Sequence, residues 1–424
     1  MTTRLAPIAA LLAGTFIFLL GNGLLGTLLS LRLNIAGQPT EVAGIVGSAY
    51  FVGLIAGCFR AVTVIGAVGH IRAFAVFAAV SASVSLAFAL SDDPLVWIVL
   101  RVLSGFAIAG LFTVIESWLN VTTDNAWRGR ILSIYMVTIY SALGLGQFLL
   151  LTYDLEGFQP FSVIAMLFAM SLVPVSLSRV PAPEIRYPSI LPFRQLYRLS
   201  PLGVVGCFGS GLMLAPFYSL APIFAQNLGL SVDEIALLMS AAIIGGLVVQ
   251  WPIGRLSDVI DRRRVLTASV FAVALAGGAI MLLSIFPRPP MLFYVAGAVF
   301  CLGFVIYPLS VGHANDHITD EDRVAMSGGL LIAYSVGAAI GPVLAAFTMQ
   351  HAGDHALFGF IGVVALLIGL FALWRMKRRA PVPIAEQGSF QAMPRTSPVA
   401  HELDPAADTS SAAANQATGD VAAA

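Results

Sequence analysis

The amino-acid sequence predicts an all-α membrane protein of twelve transmembrane helices, arranged as two pseudo-symmetric six-helix halves with both termini in the cytoplasm. Three observations lead to this fold class: an apolar composition, twelve long apolar runs, and arginines and lysines concentrated on one side. Hydrophobic residues make up 58% of the 424 residues and charged residues 10%, against roughly 45–50% and 25% in soluble domains. This composition excludes a soluble enzyme, a nucleic-acid-binding protein and a secreted disulfide scaffold.

Twelve apolar runs are long enough to cross a bilayer, because a spanning helix needs about 20 mostly apolar residues. The first run follows Arg4 and is longer than the apolar region of a secretory signal, so we expect it to be retained. The predicted spans are 7–31, 42–65, 73–91, 95–119, 131–152, 159–178, 202–225, 234–254, 265–286, 291–313, 325–349 and 356–375.

The orientation follows from the positive charges that flank these spans, since cytoplasmic loops are enriched in arginine and lysine. With the N-terminus inside, only Arg32 and Arg288 of the flanking arginines and lysines lie on the outer side. The outer turns instead contain acidic residues such as Asp92, Asp93 and Asp154. Both termini are therefore expected in the cytoplasm, which requires an even number of spans.

The chain divides into four parts. Residues 1–178 form the predicted N-terminal six-helix bundle and residues 201–379 the C-terminal one, joined by a polar, proline-containing cytoplasmic linker at 179–200. After Arg379 the apolar runs end, and Ala, Pro, Ser, Thr and Asp predominate. Such a segment buries too little apolar surface to offset its ordering entropy, so we expect residues 380–424 to be a disordered cytoplasmic tail.

The two halves resemble each other at equivalent places. An offset of 195 residues aligns Arg128 with Arg323, each directly before the fifth helix of its half, and Asn120 with Asn315. The same offset aligns the sequence GLGQ at 144–147 with AIGP at 339–342. Two six-helix halves related by an axis along the membrane normal are a known transporter plan.

Several motifs carry a resemblance to a known family. Residues 254–263 read GRLSDVIDRR, which is similar to the loop signature between the second and third helices of each half in the major facilitator superfamily. Asp261 stands where that pattern has glycine, and in the N-terminal copy Gly66 stands where it has an acid. The fourth helix contains Arg101 and Gly105 in the family's RxxxG spacing. Residues 116–120 (ESWLN) and 128–130 (RGR) resemble the uncharacterised YcaD-type bacterial permeases.

This resemblance implies a secondary transporter of the bacterial inner membrane that rocks one half against the other around a central cavity. In this family helices one, four, seven and ten line the cavity, and neighbouring helices reach it. The polar and aromatic candidates for contact with a solute are Asn22, Arg101, Tyr135, Tyr140, Gln147, Tyr218, Gln250, Tyr307 and Tyr334. For each of them, hydrogen bonding or packing between helices is the alternative.

Arg101 and Glu116 are the ionisable residues deepest in the first half, where a charge costs about 2.5 kcal/mol or more and usually faces a cavity or a partner. Arg101 is either an anion-binding or proton-relay group, or a structural cation bonded to carbonyl groups. Glu116 is a cytoplasmic latch with Arg60 or Arg72, a proton-coupling group, or a solvated helix end.

The cytoplasmic loops contain the gate candidates. They are Arg72, Glu116, Arg128, Arg130, Gly254, Asp258, Arg262 and Arg323. The resemblance places Asp258 against the start of the fifth helix in the closed state, where free N–H groups and the helix dipole favour a carboxylate. Pairing of Asp258 with Arg255 or Arg262 of its own loop is the alternative.

We therefore expect a secondary active transporter that moves a small solute by alternating access, and the family resemblance implies protons as the coupling ion. Sparse charge and several aromatic residues in the cavity favour export of a partly apolar solute. Import of a small anionic metabolite held by Arg101 is the alternative, and a transporter-like receptor without turnover is the rival from another class. No ATP-binding, metal-binding or catalytic motif appears in the sequence. We therefore expect no enzyme activity, no cofactor, no metal and no nucleic-acid partner, and a monomer.

Overall fold

The computed structural model describes residues 2–178, 191–286, 291–318 and 322–405, and its regular structure within these ranges is entirely helical. The first half has six long helices. They are α1 (Thr2–Ile35), α2 (Thr40–Val68), α3 (His70–Phe88), α4 (Pro94–Thr122), α5 (Arg128–Gly146) and α6 (Gln159–Leu177). A 3₁₀ segment, Gln147–Leu151, extends α5.

A short helix, α7 (Phe193–Leu199), occupies the described end of the predicted linker, and residues 179–190 lie outside the described residues. The second half follows it. Its helices are α8 (Pro201–Asn227), α9 (Val232–Val259), α10 (Arg262–Leu283), α11 (Met291–Phe300), α12 (Gly303–Asn315), α13 (Arg323–Ala352) and α14 (Ala356–Arg378). Helices α11 and α12 together form one span, Met291–Asn315.

Twelve segments of the described chain are long and apolar enough to cross a membrane, and each overlaps one predicted span. The expected all-α fold of twelve spans is therefore confirmed. Large apolar side chains such as Leu275, Met291 and Leu177 are more than three quarters exposed on the outside of the bundle. A soluble protein rarely exposes so much apolar surface, whereas lipid accommodates it.

Local signals in the sequence fix where several helices begin. The Asp93 side chain accepts a hydrogen bond from Leu95 N at 2.9 Å, with Pro94 in the first turn. The Ser231 hydroxyl and the Glu234 carboxylate form a capping box at the start of α9. These caps satisfy N–H groups that have no partner within the helix.

The internal repeat corresponds to real structural equivalence. Arg128 and Arg323 are the first residues of α5 and α13, which are the fifth spans of the two halves. The aligned residues Asn120 and Asn315 lie in the last turns of α4 and α12. We call the end of the bundle with these four residues the inner end, after its predicted cytoplasmic orientation, and the opposite end the outer end.

Residues 380–405 do not behave as predicted. They run back over the inner end and include two 3₁₀ turns, Ile384–Glu386 and Pro398–Leu403. Val399, Ala400, His401 and Leu403 are almost fully buried. The expectation of disorder is therefore wrong for 380–405, because specific buried contacts stabilise this part, and 406–424 lie outside the described residues. We call residues 380–405 the tail segment.

Candidate functional site

A central cavity lies between the two halves, with a volume of about 180 Å³. Residues from α1, α2, α4 and α5 of the first half and α8, α9 and α13 of the second line it, together with Pro394, Arg395 and Thr396 of the tail segment. Six of the nine predicted cavity residues are in the lining: Asn22, Arg101, Tyr140, Gln147, Tyr218 and Tyr334. Most of the remaining lining is aliphatic or aromatic, so the cavity is largely apolar.

The two halves pack directly against each other at the outer end. A Cβ atom added at Gly44 of α2 would lie 2.7 Å from the carbonyl oxygen of Pro342 in α13. The Ser30 hydroxyl donates a 2.7 Å hydrogen bond to the carbonyl oxygen of Ser219, across the two halves. Asn34 donates in the same way to the amide oxygen of Gln226 at 2.8 Å. The cavity is thus closed towards the outer end.

Arg101 is buried in the cavity wall with its side chain 8% exposed. Its guanidinium carbon lies 4.6 Å above the ring of Tyr50. The Nε atom of Arg101 has no hydrogen-bond partner within the described residues. A buried cation with an unsatisfied donor beside a cavity is suited to bind an anionic group of a solute.

Gln147 also lines the cavity, but its polar atoms already have partners within the first half. Its side-chain oxygen accepts from the Thr27 hydroxyl at 2.7 Å, and its amide nitrogen donates to the Gly23 carbonyl at 2.9 Å. These bonds link α5 to α1. In this state Gln147 therefore connects the two helices, and its side-chain amide has little hydrogen-bonding capacity left for a solute.

Three predicted cavity residues lie outside the cavity lining. The Tyr135 hydroxyl donates to Glu116 at 2.8 Å, and the Gln250 amide donates to the Gly246 carbonyl of its own helix at 3.0 Å. The Tyr307 ring packs edge-on against Tyr334, with centroids 5.3 Å apart. They were expected to line the cavity, but in this structure Tyr135 bonds to α4, Gln250 to its own helix, and Tyr307 contacts Tyr334 and His401 of the tail segment.

The tail segment enters the cavity from the inner end. Arg395 donates to the Tyr140 hydroxyl at 2.8 Å, and its guanidinium carbon lies 5.6 Å from the Tyr334 ring centroid and 5.7 Å from that of Phe304. Tyr140 belongs to the first half, whereas Phe304 and Tyr334 belong to the second. The tail segment therefore contacts both halves at the point where the cavity would open inwards.

Glu116 is completely buried, and its carboxylate accepts hydrogen bonds from Tyr135, Thr396 and Ser397. Its expected partners Arg60 and Arg72 are exposed on the surface. The latch between Glu116 and these arginines is therefore wrong for this state, and so is the solvated helix end. Hydroxyl groups, most of them from the tail segment, satisfy the carboxylate instead.

Residues 254–263, at the end of α9 and the start of α10, hold the tail segment; we call them the gate loop of the second half. Asp258 accepts a 2.7 Å hydrogen bond from Phe390 N, and the Phe390 ring packs against Gly254. Arg262 binds both carboxylate oxygens of Asp316 at 2.8 Å and donates to the carbonyl oxygen of Gly388. Arg262 is also 3.6 Å from Asp258, which is the pairing within one loop that was the alternative for Asp258.

Asp261 replaces the glycine of the family pattern for a local structural reason. Its side chain accepts from Arg263 N at 3.0 Å at the start of α10 and forms an ion pair with the Arg263 guanidinium at 2.9 Å. Its backbone φ of −45° requires no glycine. The substitution therefore gives α10 an N-terminal cap that glycine cannot provide.

The gate candidates of the first half, at the starts of α3 and α5, are arranged differently. Arg72 and Arg130 are exposed, and Arg130 stacks over the Trp127 ring at 4.9 Å. Arg128 donates to the carbonyl oxygen of Glu402 in the tail segment at 3.2 Å. Arg323, the equivalent residue of the second half, is half-buried at the start of α13. The tail segment thus also reaches the start of α5, where the latch to Asp258 was expected.

His401 is buried in the final turn of the tail segment. It is 1% exposed, and its Nε2 atom lies 3.4 Å from the Tyr307 hydroxyl. Burial lowers the pKa of His401 to about 4. The tail segment therefore docks with this imidazole neutral, because a buried cation without a carboxylate partner would be costly.

Sequence reasoning missed two parts of this site. The first is Asp316, the ion-pair partner of Arg262. It directly follows Asn315, and the alignment of Asn315 with Asn120 identified the equivalent helix ends but gave no indication of an ion pair. The tail segment was missed entirely, since its average composition is that of a solvated coil. Arg395, the one positive charge after Arg379, was its only distinctive signal.

The chain belongs to the Major Facilitator Superfamily, whose family model matches residues 11–304 and 202–413. The uncharacterized MFS-type transporter YcaD of Escherichia fergusonii is 30% identical over 387 residues, which cover 91% of this chain and 100% of that protein. The protein of the same name from Salmonella arizonae matches equally well over the same length. The expected resemblance to YcaD-type permeases is thereby confirmed.

Solved structures share the fold. The nucleoside transporter NupG matches with a TM-score of 0.69 at 12% sequence identity, covering 89% of this chain and 100% of that chain. A D-xylose-proton symporter matches with a TM-score of 0.65 at 14% identity, covering 92% and 99%. The chain is therefore a multi-pass membrane protein with the fold of secondary transporters.

Proposed function

We propose that this protein moves a small solute across the bacterial inner membrane by alternating access, with protons as the coupling ion. The observation that carries the proposal is the central cavity, which lies between the halves and is lined by both. Direct packing closes its outer end, and a separate segment of the chain fills its inner end. Rocking of the halves about such a cavity would expose it to each side in turn.

Glu116 is the candidate for the coupling proton. Within the described part of the twelve spans it is the one fully buried carboxylate. A buried carboxylate is costly when charged unless donors satisfy it, so its protonation depends on which neighbours are in place. Here two of its three donors belong to the tail segment, so access of solute and of protons to Glu116 would be linked. The fold that the chain shares with a D-xylose-proton symporter is consistent with this proposal.

The apolar lining of the cavity favours export of a partly apolar solute. Aliphatic and aromatic side chains such as Leu29, Val46 and Phe112 form most of the wall. A solute that binds in such an apolar cavity is itself partly apolar and also enters the lipid bilayer. Export of this solute from the cell against its gradient requires energy. The second candidate function is import of a small anionic metabolite, which the unsatisfied Nε donor of buried Arg101 favours.

The test uses purified full-length protein, and the chain truncated after Arg379, in proteoliposomes that contain the pH-sensitive dye pyranine. A panel of neutral, anionic, cationic and zwitterionic solutes is added from outside. A transported, proton-coupled solute changes the internal pH. Glu116→Gln should abolish this pH change while solute exchange persists, whereas Glu41→Gln at the outer end should leave both unchanged. A solute that binds without any flux would favour the receptor instead.

Arg101 separates the two directions of the proposal. If a small anion is the solute, Arg101→Ala should abolish transport, and Arg101→Lys should restore only part of it because lysine lacks the planar fork of donors. Both variants should remain in the membrane at normal amounts. Full transport of the anion by Arg101→Ala would remove the import hypothesis and leave export unaffected.

A further inference from the structure

The surroundings of Arg395 are built from aromatic faces rather than from acidic groups. Its guanidinium lies over the rings of Phe304 and Tyr334 and donates to the Tyr140 hydroxyl. No acidic partner of Arg395 is found within the described residues, and its Nη1 atom has no hydrogen-bond partner there. The attraction between a cation and an aromatic ring strengthens when both are removed from water, as they are here. We call Tyr140, Phe304 and Tyr334 the aromatic cage.

The aromatic cage is fixed by contacts that do not involve the tail segment. The Tyr140 and Phe304 ring centroids are 6.2 Å apart, and the Tyr218 ring packs edge-on against Phe304 at 6.1 Å. Tyr334 is held by the Tyr307 ring at 5.3 Å. The cage would therefore persist if Arg395 left, and would then present aromatic faces to the open cavity. Its rings come from both halves, so an occupant joins the halves together.

We propose that the aromatic cage is a cation-binding subsite of the transport pathway, which takes the guanidinium or ammonium group of an organic cation, and that Arg395 is a tethered competitor for it. This inference rests on the proposed transport function, because it names the class of solute for the same cavity. Apolar side chains next to the cage, such as Ile139 and Ile243, contact the hydrocarbon part of the solute. Because Arg395 is tethered to the protein, its effective concentration at the cage is in the millimolar range. A free solute must therefore outcompete a local guanidinium group in order to occupy the cage.

Equilibrium binding in detergent tests the inference without a gradient or flux. Benzylguanidine is titrated by calorimetry into the full-length protein, the chain truncated after Arg379, and full-length Arg395→Gln. Removal of the competitor should tighten binding at least about tenfold in both altered proteins. The neutral isostere benzylurea should bind at least about tenfold more weakly to the truncated chain, since it lacks the charge that the rings attract.

The cage itself is tested in the truncated chain. Tyr334→Leu should weaken benzylguanidine binding about 5- to 30-fold, whereas Tyr334→Phe, which keeps the ring, should bind like the parent. Tyr294→Leu, on an exposed side chain elsewhere in the bundle, is the matched control and should change nothing. If the leucine variant fails to fold, the comparison of benzylguanidine with benzylurea in the truncated chain still decides whether the cage selects a cation.

Three results would overturn the inference: no binding of benzylguanidine by the truncated chain, equal binding of benzylurea, or full binding by Tyr334→Leu. Proton-coupled flux of another solute together with any of these results would leave the proposed transport function standing and remove only the cation subsite. Cage-dependent binding with no flux of any solute would support the subsite and remove the transport proposal.

Discussion

The outer and inner ends of the bundle join the two halves in different ways. At the outer end, helices of the two halves touch directly because small residues such as Gly44 and Gly47 leave no side chain between them. At the inner end, the tail segment lies between the halves and bonds to Glu116 and Tyr140 on one side and to Asp258 on the other. The outer end is thus closed by helices that approach closely at glycines, whereas the inner end is closed by a separate segment that can undock.

This difference indicates how each end responds to change. Close packing between helices tolerates no added atoms, so the outer end should be sensitive to single methyl groups. Ordering a chain segment costs about 1–2 kcal/mol per residue in backbone entropy, so docking of the tail segment depends on the balance between this cost and its individual polar and apolar contacts. The inner end should therefore respond in a graded way to changes in charge and hydrogen bonding.

The largest effect is expected at the outer end. Gly44→Ala places a methyl group 2.5 Å from the Ala346 Cβ atom. Such overpacking costs about 1–3 kcal/mol, which would shift the balance between closed and open outer ends roughly 5- to 150-fold. The measurement is the rate at which an impermeant maleimide labels Leu33→Cys in the cavity wall, after replacement of the three native cysteines.

Gly278→Ala is the matched control, because nothing lies within 4 Å of a Cβ atom at that position. Both substitutions add the same methyl group to a helix and raise helix propensity equally. Faster labelling in Gly44→Ala alone would support direct packing as the outer closure. Equal labelling rates in the two variants would mean that the outer end is held by something else.

A second prediction concerns pH at the inner end. The pKa of His401 is about 4 when the tail segment is docked and 6.5 in its ordinary state. The undocked tail therefore binds more protons, so docking weakens as the pH falls below 6.5. Between pH 7 and pH 5 the docking constant should fall roughly 20-fold. Fluorescence of a bimane on Gln391→Cys reports docking at each pH.

Glu116 also lies in this region and titrates in every variant, so the comparison is made with His401→Gln. Glutamine keeps the capacity to hydrogen-bond with Tyr307 and removes the titrating group. The docking constant of His401→Gln should therefore fall less between pH 7 and pH 5, because the contribution of the histidine is gone. Identical pH profiles in the two proteins would show that His401 is not buried as described.

The smallest effect is expected for Asp258, which accepts the Phe390 N–H group. Asp258→Asn removes the charge from this bond at a cost of about 1 kcal/mol, so the tail segment should undock about fivefold more often. Trypsin cleavage after Arg395 in the full-length protein reports undocking. Asp233→Asn, at the outer end, is the control and should leave the cleavage rate unchanged. An unchanged cleavage rate in Asp258→Asn would show that this contact does not hold the tail segment.

Asp258 also bears on the predicted latch to the start of α5, which we still propose for the state with a closed inner end. In the chain truncated after Arg379, no tail contact remains for Asp258 to lose. Slower turnover of Asp258→Asn in that chain would support the latch. Unchanged turnover would show that Asp258 acts only by anchoring the tail segment and by pairing with Arg262.

Sequence reasoning predicted the spans well because lipid imposes a length and an apolar composition on every one of them. It also placed Tyr140, Tyr218 and Tyr334 in the cavity. The position of a residue along its span determines how deep in the membrane the residue lies, and these three lie at the depth of the cavity. It failed for Gln250 and Tyr307, because the direction in which a side chain points depends on helix rotation, which small differences in packing decide.

The failure at Glu116 has a different cause. Arg60 and Arg72 were the obvious partners by charge, but both lie on the exposed surface of the bundle. The true partners, Thr396 and Ser397, are uncharged and about 280 residues away in the sequence. Composition averaged over residues 380–424 concealed them, because docking of this segment depends on a few specific polar atoms and on a few apolar side chains such as Val399 and Leu403, which an average does not reveal.

The central claim is that the tail segment lies between the inner ends of the two halves, bonds to both, and so holds them at a fixed separation that prevents them from closing on each other. Spin labels on Ser133→Cys in α5 and Val259→Cys in α9, both exposed at the inner end, measure that separation directly by double electron–electron resonance in a background without native cysteines. The full-length protein should show one long distance, and the chain truncated after Arg379 should add a population at shorter distance as the inner ends close. Identical distance distributions in the two proteins would contradict the account.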